Sequence, residues 1–341
     1  MDETGALARR QFFICALLLH GILEGGAGVR RRDLLCILGG FAGGVRLLGQ
    51  SSSASKDGDF VIHAEVQRVL LDISVKDKEG GFVSGLLKEN FRVFEDGKLQ
   101  EIKAFSHSDI PVTVGIAVDE SGSMLPKRSE VLTAALAFIQ ESNPEDEAFV
   151  LNFNERVYHG LPDEVLFSDN IRMLRTALYS GIPEGRTALY DAVVAGLKQL
   201  EMGRQDKKTL IVISDGGDNI SKHSLKDVTT MVEASVATIY TIGVFDEDDP
   251  DRNPDVLKRL AHISGGVAFF PEELDRVVPI CREIAKDIRN RYSIAYVPPA
   301  GKNGLRHIRV EAVSPDHHKL IVRTRTRYLY ENDESAKTAK R

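Results

Sequence analysis

Between residues 111 and 290 the chain alternates short, continuous apolar runs with segments whose apolar residues recur at helical spacing, and no other feature constrains its fold as tightly. The runs at 112–118, 149–153, 209–213, 238–244 and 267–270 are too short for helices and lack the polar alternation of a half-buried strand. They predict strands covered on both faces. Helical spacing at 131–139, 171–179, 188–200, 224–234, 254–262 and 274–288 fills the intervals, and 157–159 reads as a short edge strand. The pattern predicts an α/β fold: a doubly wound, mostly parallel sheet with helices on both faces and ligand sites at the carboxyl ends of its strands.

The flanks have a different texture. Val69, Leu71, Ile73 and Val75 alternate with Leu70, Asp72, Ser74 and Lys76; Lys78-Glu79-Gly80-Gly81 reads as a turn, 91–94 as a strand, and Asp96-Gly97 as a hairpin turn tolerant of positive φ. About four strands fit before the α/β segment, too few to close a core alone. Period two returns at 292–296, 308–310 and 320–322. Together these strands predict one seven-stranded antiparallel sandwich, residues 60–110 pairing with 291–330, into which the α/β domain of 111–290 is inserted. The alternative is two separate β appendages flanking that domain. Residues 331–341 read as a disordered tail.

The first 50 residues carry six arginines against four acidic side chains, so the acidity behind the net charge of −6 lies in the rest of the chain. Two apolar runs, 12–23 and 34–48, are too short or too glycine-broken for a comfortable membrane span of about 20 residues. Arg30-Arg31-Arg32 before a glycine-rich apolar stretch reads as an export signal of twin-arginine type, with an uncut amino-terminal anchor as the alternative. The expected location is the periplasm, the cell envelope or outside the cell, with membrane contact only through an uncut segment. Removing it leaves Cys281 as the single cysteine, in an apolar helical pattern that suits a buried small hydrophobe. Three cysteines build no disulfide framework, and no CxxC pair is present to hold zinc. An acidic chain without Trp argues against nucleic acid as partner.

The first α/β strand ends in Asp119-Glu120-Ser121-Gly122-Ser123-Met124, so a carboxylate and two hydroxyls leave a buried strand at alternate positions. Gly185-Arg186-Thr187 places a hydroxyl just before a helix, and Asp215 follows the apolar strand 209–213. Oxygen ligands of this mixed kind suit a hard divalent cation, Mg²⁺ before an all-carboxylate Ca²⁺ cage, with Mn²⁺ also acceptable. Asp119, Ser121, Ser123, Thr187 and Asp215 are the candidate metal ligands; Asp218, Asn219 and Glu120 are candidates for a supporting role.

These five positions resemble, in order, the metal-ion-dependent adhesion site of the von Willebrand factor type A family, and the resemblance covers roughly residues 111–290. The flanking text around 70–77, 90–97 and 292–298 is similar to a subgroup of exported bacterial proteins abundant in acidobacteria. The resemblance implies a non-catalytic adhesion module in which Ser121 and Ser123 ligate the cation directly. Thr187 then ligates directly or through water, Asp119 and Asp215 act largely through water or hydrogen bonds, and an Asp or Glu of a partner protein completes the shell.

Two other readings share the same residues. A Mg²⁺-dependent phosphoester hydrolase also places carboxylates at the end of a parallel sheet, but the sequence has no GxxxxGK[ST] loop, no GxSxG elbow and no histidine inside the motif segments. A structural scaffold with a non-functional site would use the hydroxyls as helix caps and Asp215 as a turn residue. Outside the motif, Arg323, Arg325 and Arg327 recur every second residue and predict one strand face, an exposed polar face or an anionic docking stripe. The acidic run 246–251 reads as a solvated loop or a second cation site, and His317-His318 as a turn.

Overall fold

The computed structural model describes residues 68–245, 252–314 and 319–332; residues 1–67, where an export signal is expected, the acidic run 246–251, His317, His318 and the tail from 333 lie outside them. Strands β1 (Val69–Asp77), β2 (Phe91–Glu95), β3 (Lys98–Gln100) and β4 (Ile102–Ser106) precede the α/β segment. The β2–β3 turn is made by Asp96 and Gly97 at φ +47° and +79°, the paired positive values that match a hairpin's twist.

The α/β segment runs β5 (Val112–Asp119), α1 (Arg128–Gln140), β6 (Glu147–Phe153), β7 (Val157–His159), α2 (Ile171–Tyr179), α3 (Leu189–Glu201), β8 (Lys207–Ser214), α4 (Leu225–Ala234), β9 (Thr238–Gly243), α5 (Pro254–Ser264), β10 (Ala268–Phe269) and α6 (Val277–Arg289). Its sheet has the order β10-β9-β8-β5-β6-β7, parallel throughout except for the edge strand β7. Every residue of β5 and β6 is buried, which is why these strands are written as unbroken apolar runs. Helix ends follow local chemistry. Asn170 Oδ1 accepts from the N–H groups of Arg172 and Met173 to start α2, Ser224 and Asp227 form a capping box on α4, and Gly265 closes α5 at φ +85°. Cys281 is buried inside α6, and burial pushes its thiol up to about 12, so it packs as an inert hydrophobe.

Four strands follow: β11 (Tyr292–Tyr296), β12 (Gly304–Ala312), β13 (Leu320–Arg323) and β14 (Arg327–Tyr330). With β1–β4 they form two antiparallel sheets, ordered β13-β1-β11-β4 and β14-β12-β2-β3. Each sheet mixes strands from before and after the α/β segment; β1 lies against both β11 and β13, and β2 against β12. Among the described residues the sandwich has eight strands rather than seven, because Arg327–Tyr330 adds a strand whose tyrosines, Tyr328 and Tyr330, face the core.

That extra strand corrects the arginine reading. Arg323 ends β13, Arg325 lies in the connection and Arg327 starts β14, so the three share no strand face. Arg323 Nη2 pairs with Asp287 at 3.2 Å, Arg327 Nη2 with Glu233 at 2.7 Å, and Arg325 is buried against the end of α4. Asp287 is the hub of the junction between sandwich and α/β segment. Its carboxylate accepts from Ser74 Oγ at 2.5 Å, Tyr240 OH at 2.5 Å, Arg291 Nη2 at 3.0 Å and Arg323 Nη2 at 3.2 Å. Burial pushes this carboxyl up, but the charges of Arg291 and Arg323 and the hydroxyl donors outweigh it and hold it at about 2.

Candidate functional site

Strands β5 and β8 are parallel neighbours with Val118 opposite Ile213, so Asp119 and Ser214 leave the sheet side by side. Ser214 Oγ donates to Asp119 Oδ2 at 2.6 Å, and Ser121 N–H donates to Asp119 Oδ1 at 2.9 Å. One step further out, the hydroxyls of Ser121 and Ser123 are 3.1 Å apart, and Ser123 Oγ donates to Asp215 Oδ2 at 2.5 Å. Four of the five candidate ligands thus form one continuous chain of oxygens. It sits where the strand order reverses around β5, the usual crevice of an open α/β sheet.

Thr187 comes from the loop before α3. Gly122 N–H donates to Gly185 O at 3.1 Å, which ties that loop to the β5 turn. Asn219 fixes the threonine's backbone from the other side: Thr187 N–H donates to Asn219 Oδ1 at 3.0 Å, and Asn219 N–H returns a bond to Thr187 O at 3.1 Å. Asp218 accepts from Tyr190 N–H at 2.8 Å and from Ser221 Oγ at 2.6 Å, so it pins the segment after Asp215 to the first turn of α3. Asp218 and Asn219 therefore position the loop that carries Thr187.

Glu120 does not join them. It sits between Asp119 and Ser121 and is sent the opposite way; its Oε2 accepts from Arg128 Nε at 2.7 Å. Arg128 Nη2 also donates to Gly181 O at 2.9 Å and Tyr179 O at 3.4 Å, while Glu184 N–H donates to Glu120 O at 2.9 Å. The fit is close: a Cβ on Gly181 would lie 2.4 Å from Glu120 Oε1. Glu120 and Arg128 act as a latch holding the 179–184 loop on the β5 turn. Arg128 was invisible to the motif, and only its helical position after Ser123 hinted at it.

Electrostatics sets these oxygens apart from an ordinary turn. Burial, then the charge of Asp215, raises the Asp119 carboxyl to about 7 against the hydrogen bonds from Ser214 and Ser121. Among the described residues no lysine, arginine or histidine pairs with Asp119 or Asp215. Two buried carboxylates facing hydroxyl oxygens, with no ion pair of their own among the described residues, are a donor set that fits a hard divalent ion. No group of three or more His, Cys, Asp or Glu side chains gathers as a metal site among the described residues; this set uses two carboxylates and hydroxyls instead.

The sheet order and the emergence of Asp119 and Asp215 at the carboxyl ends of β5 and β8 give the doubly wound α/β fold that the resemblance to the von Willebrand factor type A family implies. No family model matches the chain. An uncharacterized protein of a Synechocystis species is 24% identical over 186 residues, which are 53% of this chain and 42% of that protein, so the chain spans less than half the length of this curated relative. Among solved structures, a von Willebrand factor type A protein from Catenulispora acidiphila is 14% identical, with a TM-score of 0.47 over 80% of this chain and 76% of that one. BatB from Bacteroides thetaiotaomicron is 18% identical over 52% of this chain and 98% of its own, with a TM-score of 0.41. The vWF domain of the type V pili tip protein Mfa5 from Porphyromonas gingivalis is 13% identical over 53% of this chain and 95% of its own, with a TM-score of 0.45. Among the described residues no helix is long and apolar enough to cross a membrane.

Proposed function

We propose that this chain is an exported, adhesion-type protein-binding module whose von Willebrand factor type A-like domain captures a partner protein through a divalent cation, Mg²⁺ first, with Mn²⁺ or Ca²⁺ as substitutes. The observation that carries the reading is the hydrogen-bonded run from Asp119 through Ser121 and Ser123 to Asp215, largely buried, negative and, among the described residues, without a pairing basic side chain. Ser121, Ser123 and Thr187 would hold the ion with neutral oxygens, and Asp119 and Asp215 would hold it through their charge and hydrogen bonds. A cation bound this way stays electrophilic and supplies a position for an Asp or Glu carboxylate of the partner. The protein's own work is positioning: Asp218 and Asn219 hold the Thr187 loop, and the Glu120–Arg128 latch holds its approach.

Pull-down from a cell-envelope extract with Mg²⁺ and with chelator, using wild type and Asp119→Ala, tests the reading. The wild type should retain partners that are lost both with chelator and in Asp119→Ala. An identical set of proteins in all arms would remove the cation from the function. Turnover of a phosphoester panel that vanished in Asp119→Ala would replace a binder with a hydrolase.

A further inference from the structure

The far edge of the parallel sheet carries a feature that the cation site does not use. β10 is the terminal strand, bracketed by Gly266 and Pro271, and its one strand neighbour among the described residues is β9. In a parallel pair, alternate residues of a strand bond to the neighbour, and the residues between them point the other way. Thr241 N–H donates to Val267 O at 3.0 Å, and the bridges Ala268–Thr241 and Phe269–Ile242 take up the main-chain groups of Phe269. The N–H and C=O groups of Ala268 and Phe270 are therefore turned outward, and none of the four has a hydrogen-bond partner among the described residues.

A groove runs along that edge. Phe269 and Phe270 both line one cavity of about 590 Å³, although consecutive residues of an extended chain send their side chains to opposite faces. The cavity thus wraps the edge of the sheet rather than lying on one face. Its opposite wall is helical: Arg276, Pro279, Ile280 and Glu283 follow at i, i+3, i+4 and i+7 along the start of α6. The volume falls within the roughly 300–1,000 Å³ of ligand pockets. The Phe270 ring stacks on Phe245 with centroids 5.5 Å apart, so the aromatic wall is preformed.

Charge narrows the occupant. Glu272 and Glu273 stand on the rim, both exposed and with no ion pair or side-chain hydrogen bond among the described residues. Glu283 is already held by Lys76 Nζ at 2.8 Å, and Lys258, which lies over the Phe270 ring, pairs with Asp255 at 3.3 Å. Arg276 is exposed and unpaired among the described residues. Two free carboxylates against one free guanidinium leave the rim net acidic. An open strand edge, an apolar trough and an acidic rim together match an extended chain that is apolar on one face and basic on the other.

We propose that this groove docks an extended segment of a partner protein as an added strand on β10, with apolar side chains against Phe269, Pro271 and Ile280 and Lys or Arg side chains at Glu272 and Glu273. This docking needs no cation. Fluorescence-anisotropy titration of the full chain in chelator tests it, with a labelled, end-blocked Lys-Val-Lys-Val-Lys-Val-Lys peptide, its Glu-Val counterpart and its N-methylated form. The Lys-Val peptide should bind saturably and the other two about tenfold more weakly, a difference of about 1.4 kcal/mol. The pair Glu272→Lys and Glu273→Lys should weaken the Lys-Val peptide about fivefold, whereas the same swap at the exposed Asp163 and Glu164 should not. At ten times the Kd, exchange of the Ala268 and Phe270 amide protons should slow about tenfold. Equal binding in Mg²⁺ and in Asp119→Ala separates this surface from the cation site; binding that appears only with Mg²⁺ overturns it. So would absence of saturable binding, equal binding of the N-methylated or Glu-Val peptide, indifference to the charge swap, or unchanged exchange at Ala268 and Phe270.

Discussion

Replacing Asp287 with Ala removes the one carboxylate that joins β1, β9, α6 and β13. It leaves Arg291, 3% exposed and lying over the Tyr240 ring, without an ion pair, and Arg323 loses the one carboxylate it pairs with among the described residues. Removing one partner of a buried ion pair costs about 3–5 kcal/mol. At about 2–4 °C per kcal/mol for domains of this size class, the melting temperature should fall by roughly 6–20 °C. The pH dependence gives an independent reading of the same carboxylate. Its folded pKa, about 2, lies below the ordinary 3.8, so its contribution is present above pH 4 and is lost as pH falls toward 2. The difference corresponds to about 2 kcal/mol. Urea unfolding between pH 2.5 and 7 should therefore show wild type losing more stability than Asp287→Asn below pH 4. A change within about 1 kcal/mol for Asp287→Ala, together with parallel acid profiles for wild type and Asp287→Asn, would refute the junction described above.

Three further outcomes follow from the site and its supports. In chelator at pH 8, Asp119→Asn should be more stable than wild type by up to about 4 kcal/mol, because a carboxyl raised to about 7 loses stability as pH rises from 4 through 7; thermal melts at pH 5 and 8 read the difference. Arg128→Gln should weaken divalent-cation binding about tenfold while Arg186→Gln does not, as measured by Mn²⁺ titration, because only Arg128 latches the 179–184 loop onto the β5 turn. Gly265→Ala should destabilise by about 1–3 kcal/mol in urea melts, since φ is +85° and the added Cβ meets the Thr324–Arg325 backbone.

The α/β plan was legible because a strand covered on both faces must be written as an unbroken apolar run, as in β5 and β6, and because Asp-Gly can make the β2–β3 turn. The motif's grouping was legible for the same reason, since Asp119 and Asp215 had to emerge at the ends of two such strands. What escaped was set by distant partners. Period two in Arg323, Arg325 and Arg327 reads as a solvated face, yet Asp287, the α4 carbonyls and Glu233 take up the three guanidinium groups, and the last of them opens an eighth strand. Glu120 sits inside the motif by spacing, but strand alternation turns it toward Arg128. Asn219 gave no sign beyond proximity to Asp215 that it would clamp Thr187 from 32 positions away.

The most direct test of cation-dependent binding is a thermal melt of the full chain with Mg²⁺ or Mn²⁺ against chelator, for wild type and Ser123→Ala. A cation held only by the folded state stabilises by about 2.7 kcal/mol at 100 times its dissociation constant. Wild type should melt higher with either ion, and Ser123→Ala, which removes one proposed neutral ligand and the bond to Asp215, should lose most of that increase. Equal melting with and without the ions in wild type would contradict a metal centre at Asp119, Ser121, Ser123, Thr187 and Asp215.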